Sequence, residues 1–304
     1  MGDVFNYVAA MNYGLARLKT LPLSLRLIRE IHAKLLTKVQ GARDAGEFRR
    51  TQNWIGPTGS LLKDAVFVPP PPHEMHVALG NMENFLHAKD PMPFLVRAGI
   101  AHAQFETIHP FVDGNGRLGR LLITFMLCEH KILRKPLLYL SFFFKKNRSE
   151  YYDRLQAVRD MGQWEDWLKF FLRGIAEVAE QATMTARKIV QLREQHRKLV
   201  AQSLGRSTGR ALALLESLYR RPVVSMSTIS QVCGITFQGA SDIAKHFSAL
   251  DILKETTGQK RHRLFAYSRY LALLGEPTRR KRNPTTKVKA RAQTVLRSRT
   301  VNTV

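Results

Sequence analysis

One run of twelve residues combines a base, a carboxylate, a glycine-rich turn and two arginines: His109-Pro110-Phe111-Val112-Asp113-Gly114-Asn115-Gly116-Arg117-Leu118-Gly119-Arg120. Gly114, Asn115 and Gly116 tolerate positive φ, so the backbone can turn its N–H groups inward as an anion nest. A helical pattern follows, with Leu118, Leu121, Leu122 and Phe125 on its core face. Its N-terminus adds partial positive charge where the nest points. Arg117 and Arg120 are three apart and share a different face. Two forked guanidiniums above a nest suit a polyphosphate. A carboxylate in such a positive place, Asp113, makes sense as a ligand of Mg²⁺, which takes one or two carboxylates with phosphate oxygens and water. His109, ending the preceding helical segment, can take a proton from a hydroxyl near neutral pH. Phe111 is apolar and plugs into the core, fixing the loop. DGNG alone is more often a tight turn, and a histidine before proline is more often structural. The combination in one run before a helix is what points to phosphate chemistry.

The elements that must position this run are mostly helical. Apolar residues spaced by three and four predict helices over 3–20, 23–39, 73–88, 92–107, 117–131, 149–160, 164–181 and 183–202. The segment 41–72 is different. It holds Gly41, Gly46, Gly56, Pro57 and Gly59 around short apolar runs and ends in four prolines, which reads as an irregular β-hairpin with an extended stop. Trp164, Trp167, Phe170 and Phe171 form an apolar helix stripe assigned to core. After Ser203-Leu204-Gly205 a new unit begins. Helix, short helix, turn and third helix are followed by a hairpin with a basic tip, the order of a winged helix-turn-helix. The expected domains are therefore 1–202, 206–275 and a disordered basic tail, 276–304.

Composition sets outer bounds. Lys plus Arg exceed Asp plus Glu by 48 to 24, a net charge of +24, which suits a polyanionic partner or simply a solvated basic surface and tail. The two cysteines, Cys128 and Cys233, form no CxxC, so a disulfide framework or zinc site is not expected and a reducing cytoplasm fits. No apolar stretch is long enough to predict a membrane span.

The run 109–120 resembles the Fic-domain motif HPFx(D/E)GNGRxxR at every defined position. The flanking AHAQFETIHPF, the upstream GEFRRTQNWIGP with VPPPP, and the downstream PLLYLSFFFKKNRSEYY resemble that family too. The likeness spans roughly residues 3–200, and a C-terminal winged helix recurs in a bacterial subgroup. The resemblance implies a mainly α fold: a Fic-type helical bundle with a β-hairpin flap, plus the winged helix-turn-helix. It also implies a protein adenylyltransferase that moves AMP from ATP to a hydroxyl of a target protein. His109 would be the general base. Asp113 would hold Mg²⁺. The amides of Gly114, Asn115 and Gly116, with the Asn115 side chain, would cradle phosphates, and Arg117 and Arg120 would stabilise the departing pyrophosphate. The hairpin around 52–68 would be the flap that clamps the target by backbone pairing. Gln104, one turn before His109, would touch the nucleotide. Tyr151 and Tyr152 line the adenine side or belong to the core. Relatives that phosphorylate carry Lys at the position of Gly116, so the small residue favours AMP transfer.

Some readings stay open. His102 is a second catalytic histidine or a hydrogen-bonded core residue. The wing, with Lys254, Lys260, Arg261, His262 and Arg263, and the helix bearing Gln238, Ser241 and Lys245 suit DNA, a protein or dimerisation. The partners implied are ATP and a target protein, with a second copy of the chain and DNA as open additions. The competing functions are a nucleotide-sensing DNA-binding regulator and the same transferase with another nucleotide donor. Many family members restrain themselves with a helix bearing (S/T)xxxE(G/N). No Ser or Thr here has Glu four residues on. The expectation is that the chain begins after that helix and modifies itself or bystanders without an activating signal.

Overall fold

Helices start and stop where the local chemistry allows. The computed structural model of the chain describes residues 2–37, 44–56, 59, 61–133, 140–259 and 261–275. The expected disordered tail, 276–304, and Lys260 of the wing lie outside the described residues. In chain order the first helices are α1 (Gly2–Arg17), α2 (Leu25–Leu35), α3 (Pro72–His87), α4 (Phe94–Ile108) and α5 (Asn115–Glu129). The Ser24 side chain accepts from the Leu27 amide to cap α2. Pro72 opens α3, where its missing N–H and fixed φ cost nothing. Then follow α6 (Leu140–Lys146), α7 (Arg148–Met161) and α8 (Trp164–Ser203). The helix α8 is 40 residues long, whereas the pattern predicts two helices meeting near residue 182. The stretch Glu180-Gln181-Ala182-Thr183-Met184 contains no Gly or Pro to break it. The Phe142-Phe143-Phe144 run falls on α6, for which the periodicity predicts no helix. Among the described residues of the predicted hairpin, Ile55 and Phe67 form an antiparallel bridge.

The chain divides into two units, 1–182 and 183–304. In the first, α1 packs on α2, and α4 packs on both α3 and α5. Its core includes Leu27, Ile31, Leu79, Phe105, Phe111, Leu121, Phe125, Trp167 and Phe171, all at 0–1% exposure. The Trp167 indole N–H donates to the Gly99 carbonyl at 2.9 Å, so its one polar group is satisfied inside. The predicted stripe residues Trp167, Phe170 and Phe171 are buried, and Trp164 packs against them partly exposed.

The second unit has α9 (Thr208–Leu218), β1 (Val223–Ser225), α10 (Met226–Cys233), α11 (Phe237–Ala249), β2 (Lys254–Glu255), β3 (Leu264–Ala266) and α12 (Ser268–Gly275). The strands form an antiparallel sheet in the order β1-β3-β2. The end of α8 belongs to this unit. Its His196 bonds Tyr267 at 2.7 Å, and Arg193 and Arg197 both pair with Glu216. Thr236 caps α11 through its hydroxyl. Cys128 and Cys233 are free thiols. No helix among the described residues is long and apolar enough to cross a membrane.

At Gly14 on α1 a Cβ would run into the Phe125 ring of α5. Gly14→Val therefore overpacks the α1–α5 contact. A loss of about 1–3 kcal/mol is expected, read as a lowered thermal midpoint of the first unit, with the fold retained below it.

Candidate active site

The site begins where α4 must end. Proline disfavours the right-handed helical region for the residue before it, and His109 precedes Pro110. His109 accordingly caps α4 in the left-handed region, φ 48 and ψ 60, its amide still bonded to Phe105 at 3.0 Å. For a residue with a Cβ this conformation costs about 1–2 kcal/mol, so neighbours must hold it. Arg49 donates from Nε to the His109 carbonyl at 3.0 Å, and Asn53 from Nδ2 to the same oxygen at 3.5 Å and to that of Phe111 at 3.1 Å.

The next residues form the turn. Phe111 is fully buried, as expected, and its ring stacks on His32 at 3.7 Å. Asn115 is 2% exposed, and both ends of its amide are engaged with Phe111: Oδ1 accepts the Phe111 N–H at 2.9 Å and Nδ2 donates to its carbonyl at 2.7 Å. The side chain that the resemblance gives to phosphates thus shapes the loop. Gly114 takes φ 83 and ψ −2 as the N-cap of α5, a position glycine occupies without strain. The helix starts at Asn115, two residues before the predicted 117, so Asn115 and Gly116 lie in its first turn. First-turn N–H groups have no carbonyl partner inside a helix and face the loop side with the positive end of the dipole. His32 anchors the turn from α2. Its Nδ1 accepts the Gly46 N–H at 2.9 Å, which leaves the proton on Nε2 to donate to the Asp113 carbonyl at 2.9 Å.

The charged groups are placed as follows. Asp113 is exposed. Its Oδ1 accepts the Gly114 N–H at 2.6 Å and its Oδ2 pairs with Arg117 at 2.9 Å. Arg120 is half-buried, and its guanidinium passes Gly116, where a Cβ would meet Nη1 at 3.3 Å and Glu106 Oε1 at 3.9 Å. Glu106 was not singled out by its sequence context. It is 7% exposed, its Oε1 has no hydrogen-bond partner, and burial pushes its carboxyl up to about 7, against the pull of Arg120 and Arg159. The same oxygen would lie 2.5 Å from a Cβ at Gly119. Arg159 donates to the Glu106 carbonyl at 3.1 Å and to Thr107 Oγ1 at 3.2 Å, and its guanidinium lies 3.8 Å from the centre of the Phe67 ring.

The other predicted residues lie on α4 and α7. Gln104 is exposed on α4. Tyr151 is 4% exposed, bonds His102 Nε2 at 2.9 Å and packs on Phe144 and Trp167. Tyr152 is exposed. His102 is fully buried between Tyr151 and the Gly119 carbonyl, the hydrogen-bonded core arrangement, and burial lowers its ring to about 3.

One exposed carboxylate, Asp113, stands in the loop paired with Arg117, a donor that could serve Mg²⁺ only together with nucleotide oxygens, and no group of three or more His, Cys, Asp or Glu side chains that could hold a metal ion is found among the described residues.

His109 Nδ1 is buried without a partner. Burial drives the imidazole down to about 4; the Glu106 carbonyl opposes this and Arg159 and Arg49 reinforce it. The ring is therefore neutral, and able to accept a proton, at any pH well above 4. Between pH 6.5 and 4 the unfolded chain takes up a proton that the folded one refuses, so this group's contribution to stability is present above 6.5 and lost as pH falls through that window. In an NMR titration the His109 ring signals should stay unshifted down to about pH 5.

The Fic/DOC family profile matches residues 22–127. Protein adenylyltransferase Fic of Aedes aegypti is 32% identical over 183 residues, covering 59% of this chain and 32% of that protein. The Culex quinquefasciatus protein of the same name is 32% identical over 185 residues, with 59% and 32% covered. The chain thus spans about a third of the length of these curated relatives. The crystal structure of a Fic family protein from Desulfovibrio desulfuricans G20 aligns with a TM-score of 0.53 at 18% identity, over 90% of this chain and 76% of that one, a likeness of fold.

Proposed function

We propose that this chain is a Fic-type protein adenylyltransferase, transferring AMP from ATP to a Ser, Thr or Tyr hydroxyl of a target protein with release of pyrophosphate. The observation that carries the reading is the juxtaposition around Pro110. A neutral, strained histidine ends one helix, and within six residues a positive helix start begins, flanked by Arg117 and Arg120.

In this reading the residues divide the work. The His109 imidazole accepts the proton of the target hydroxyl as its oxygen bonds to the α-phosphorus; the bond to the β-phosphate oxygen breaks, and pyrophosphate carries away that electron pair. The Asn115 and Gly116 amides and the two guanidiniums offset the charge that grows on the leaving group. For this, Arg117 exchanges its partner Asp113 for phosphate, and Asp113 becomes available to Mg²⁺. When bound, Mg²⁺ would neutralise phosphate charge. The bridge Ile55–Phe67 is the base of the flap, with exposed Val66 and Val68 beside it to receive an extended target segment. Gly116 leaves room over which the Arg120 side chain passes, which a lysine there would fill.

The order α9, β1, α10, α11, β2, β3 in the second unit supports a winged helix-turn-helix there. A nucleotide-sensing DNA-binding regulator is the second reading. It is favoured by the exposed Gln238 and Lys245 on α11 and Arg261 on the loop between β2 and β3.

Incubation with ATP labelled at the α- or γ-phosphate separates these readings. Label on protein from the α position alone is the expected result. Label from γ alone means phosphoryl transfer, and no label with tight, sequence-specific DNA binding favours the regulator. His109→Ala should lower transfer by about 10²–10⁴-fold while equilibrium dialysis still shows nucleotide bound. Asp113→Ala should lose its response to added Mg²⁺ without unfolding. A parent-like Mg²⁺ titration would make Asp113 a turn residue only.

A further inference from the structure

Arg49 lies sixty residues before the loop and is 1% exposed. Its guanidinium forms no ion pair with a carboxylate among the described residues; it faces backbone carbonyls instead. Nε donates to His109 at 3.0 Å, Nη1 to Thr51 at 3.2 Å, and Nη2 to Pro70 and, at 3.5 Å, to Ile108. Its own amide donates to the Pro110 carbonyl at 2.9 Å. These acceptors fall into two groups. Thr51 and Pro70 are the two ends of the segment that contains the Ile55–Phe67 bridge. Ile108, His109 and Pro110 are the end of α4 and its strained cap.

We infer that Arg49 is a positioning residue that sets the base, His109, at a fixed place relative to the segment that receives the target. A planar fork with five N–H donors suits this task, because it can bond both segments at once in one geometry. A lysine could keep the charge but would not span both sets of carbonyls. The charge has its own use: it adds to the burial that holds His109 neutral. Asn53 and Gln52 extend the staple. Asn53 reaches the His109 and Phe111 carbonyls and Gln52 reaches Pro69. None of these donors bonds directly to the first turn of α5, where phosphates would bind; Asn53 comes nearest, sharing the Phe111 carbonyl with the Asn115 side chain. The inference rests on the adenylyltransferase reading and makes a split prediction within it: nucleotide binding and hydroxyl transfer come apart.

Arg49→Lys in the full chain is the test. Its dissociation constant for ATP should stay within about threefold of the parent. The turnover number for AMP transfer should fall by about 10²-fold, the loss expected when a reacting group is misplaced by about an ångström. Hydrogen exchange should rise together at residues 51–56, 65–68 and 111–114 and stay unchanged in α3. A parent-like turnover number overturns the inference, as does a loss of ATP binding in step with transfer, which marks a merely structural residue. If the lysine variant does not fold, Asn53→Ala removes a half-buried donor to the same carbonyl. A drop of about tenfold in turnover with ATP binding kept is expected there, and no drop overturns the inference. If the parent itself transfers no AMP, the functional reading falls. The exchange experiment still decides Arg49, since exchange confined to one of the two segments would show that it does not join them.

Discussion

The loop depends on the placement of one phenylalanine. Phe111 gives its ring to the core and both of its backbone groups to the Asn115 amide, so no polar group is lost by burying it. With the ring stacked on His32, and His32 bonded to Asp113 and Gly46, α2, the 109–114 loop and the turn at Gly46 meet at one aromatic contact. The turn between α4 and α5 therefore has little freedom, although its surface residues Val112 and Asp113 are exposed. Anion recognition by backbone amides requires such rigidity, because the amides must already point at the ligand before it arrives.

Burial sorts the charges around this turn. Desolvation penalises the ionised form of every titratable group beneath it. It lowers His109 to about 4 and His102 to about 3, and raises Glu106 to about 7. Guanidiniums cannot respond in the same way, since they stay protonated at any accessible pH. Arg49, Arg120 and Arg159 are thus the lasting charges of the surroundings, while the histidines stay neutral. One physical cause supplies both an electropositive place for an anion and an imidazole with room for a proton.

The local part of this arrangement was legible in the sequence and the distant part was not. The run 109–120 carries base, turn, helix start and arginines within twelve residues, so spacing alone relates them. Its helices were legible too, because α1 to α5 have apolar stripes. The start of α5 moved because Gly114, rather than a side-chain cap, begins the helix. His32 and Arg49 are invisible to periodicity. Each lies on a polar–apolar pattern that reads equally as surface, and their partners are 81 and 60 residues away. Glu106 was hidden for a similar reason: a glutamate in a helix reads as solvated, and only packing against α5 shows it to be buried. Tyr151 illustrates the reverse. The aromatic pair Tyr151-Tyr152 alone could not separate a ligand wall from a core position; in the fold Tyr151 is buried and bonded to His102.

The contact between Gly119 and Glu106 bears on how this sequence can vary. A methyl group at 119 would sit 2.5 Å from Glu106 Oε1, 3.2 Å from Phe105 and 3.3 Å from His102. Three α4 side chains therefore close one side of α5 against any larger residue. Drift at these positions is not independent. A side chain at 119 requires Glu106 Oε1 to swing away or residue 106 to shorten, and either change displaces the buried carboxyl beside Arg120. The evolutionary path to a bulkier position 119 passes through an altered charge balance at the loop, which ties the shape of a helix contact to the electrostatics of the site.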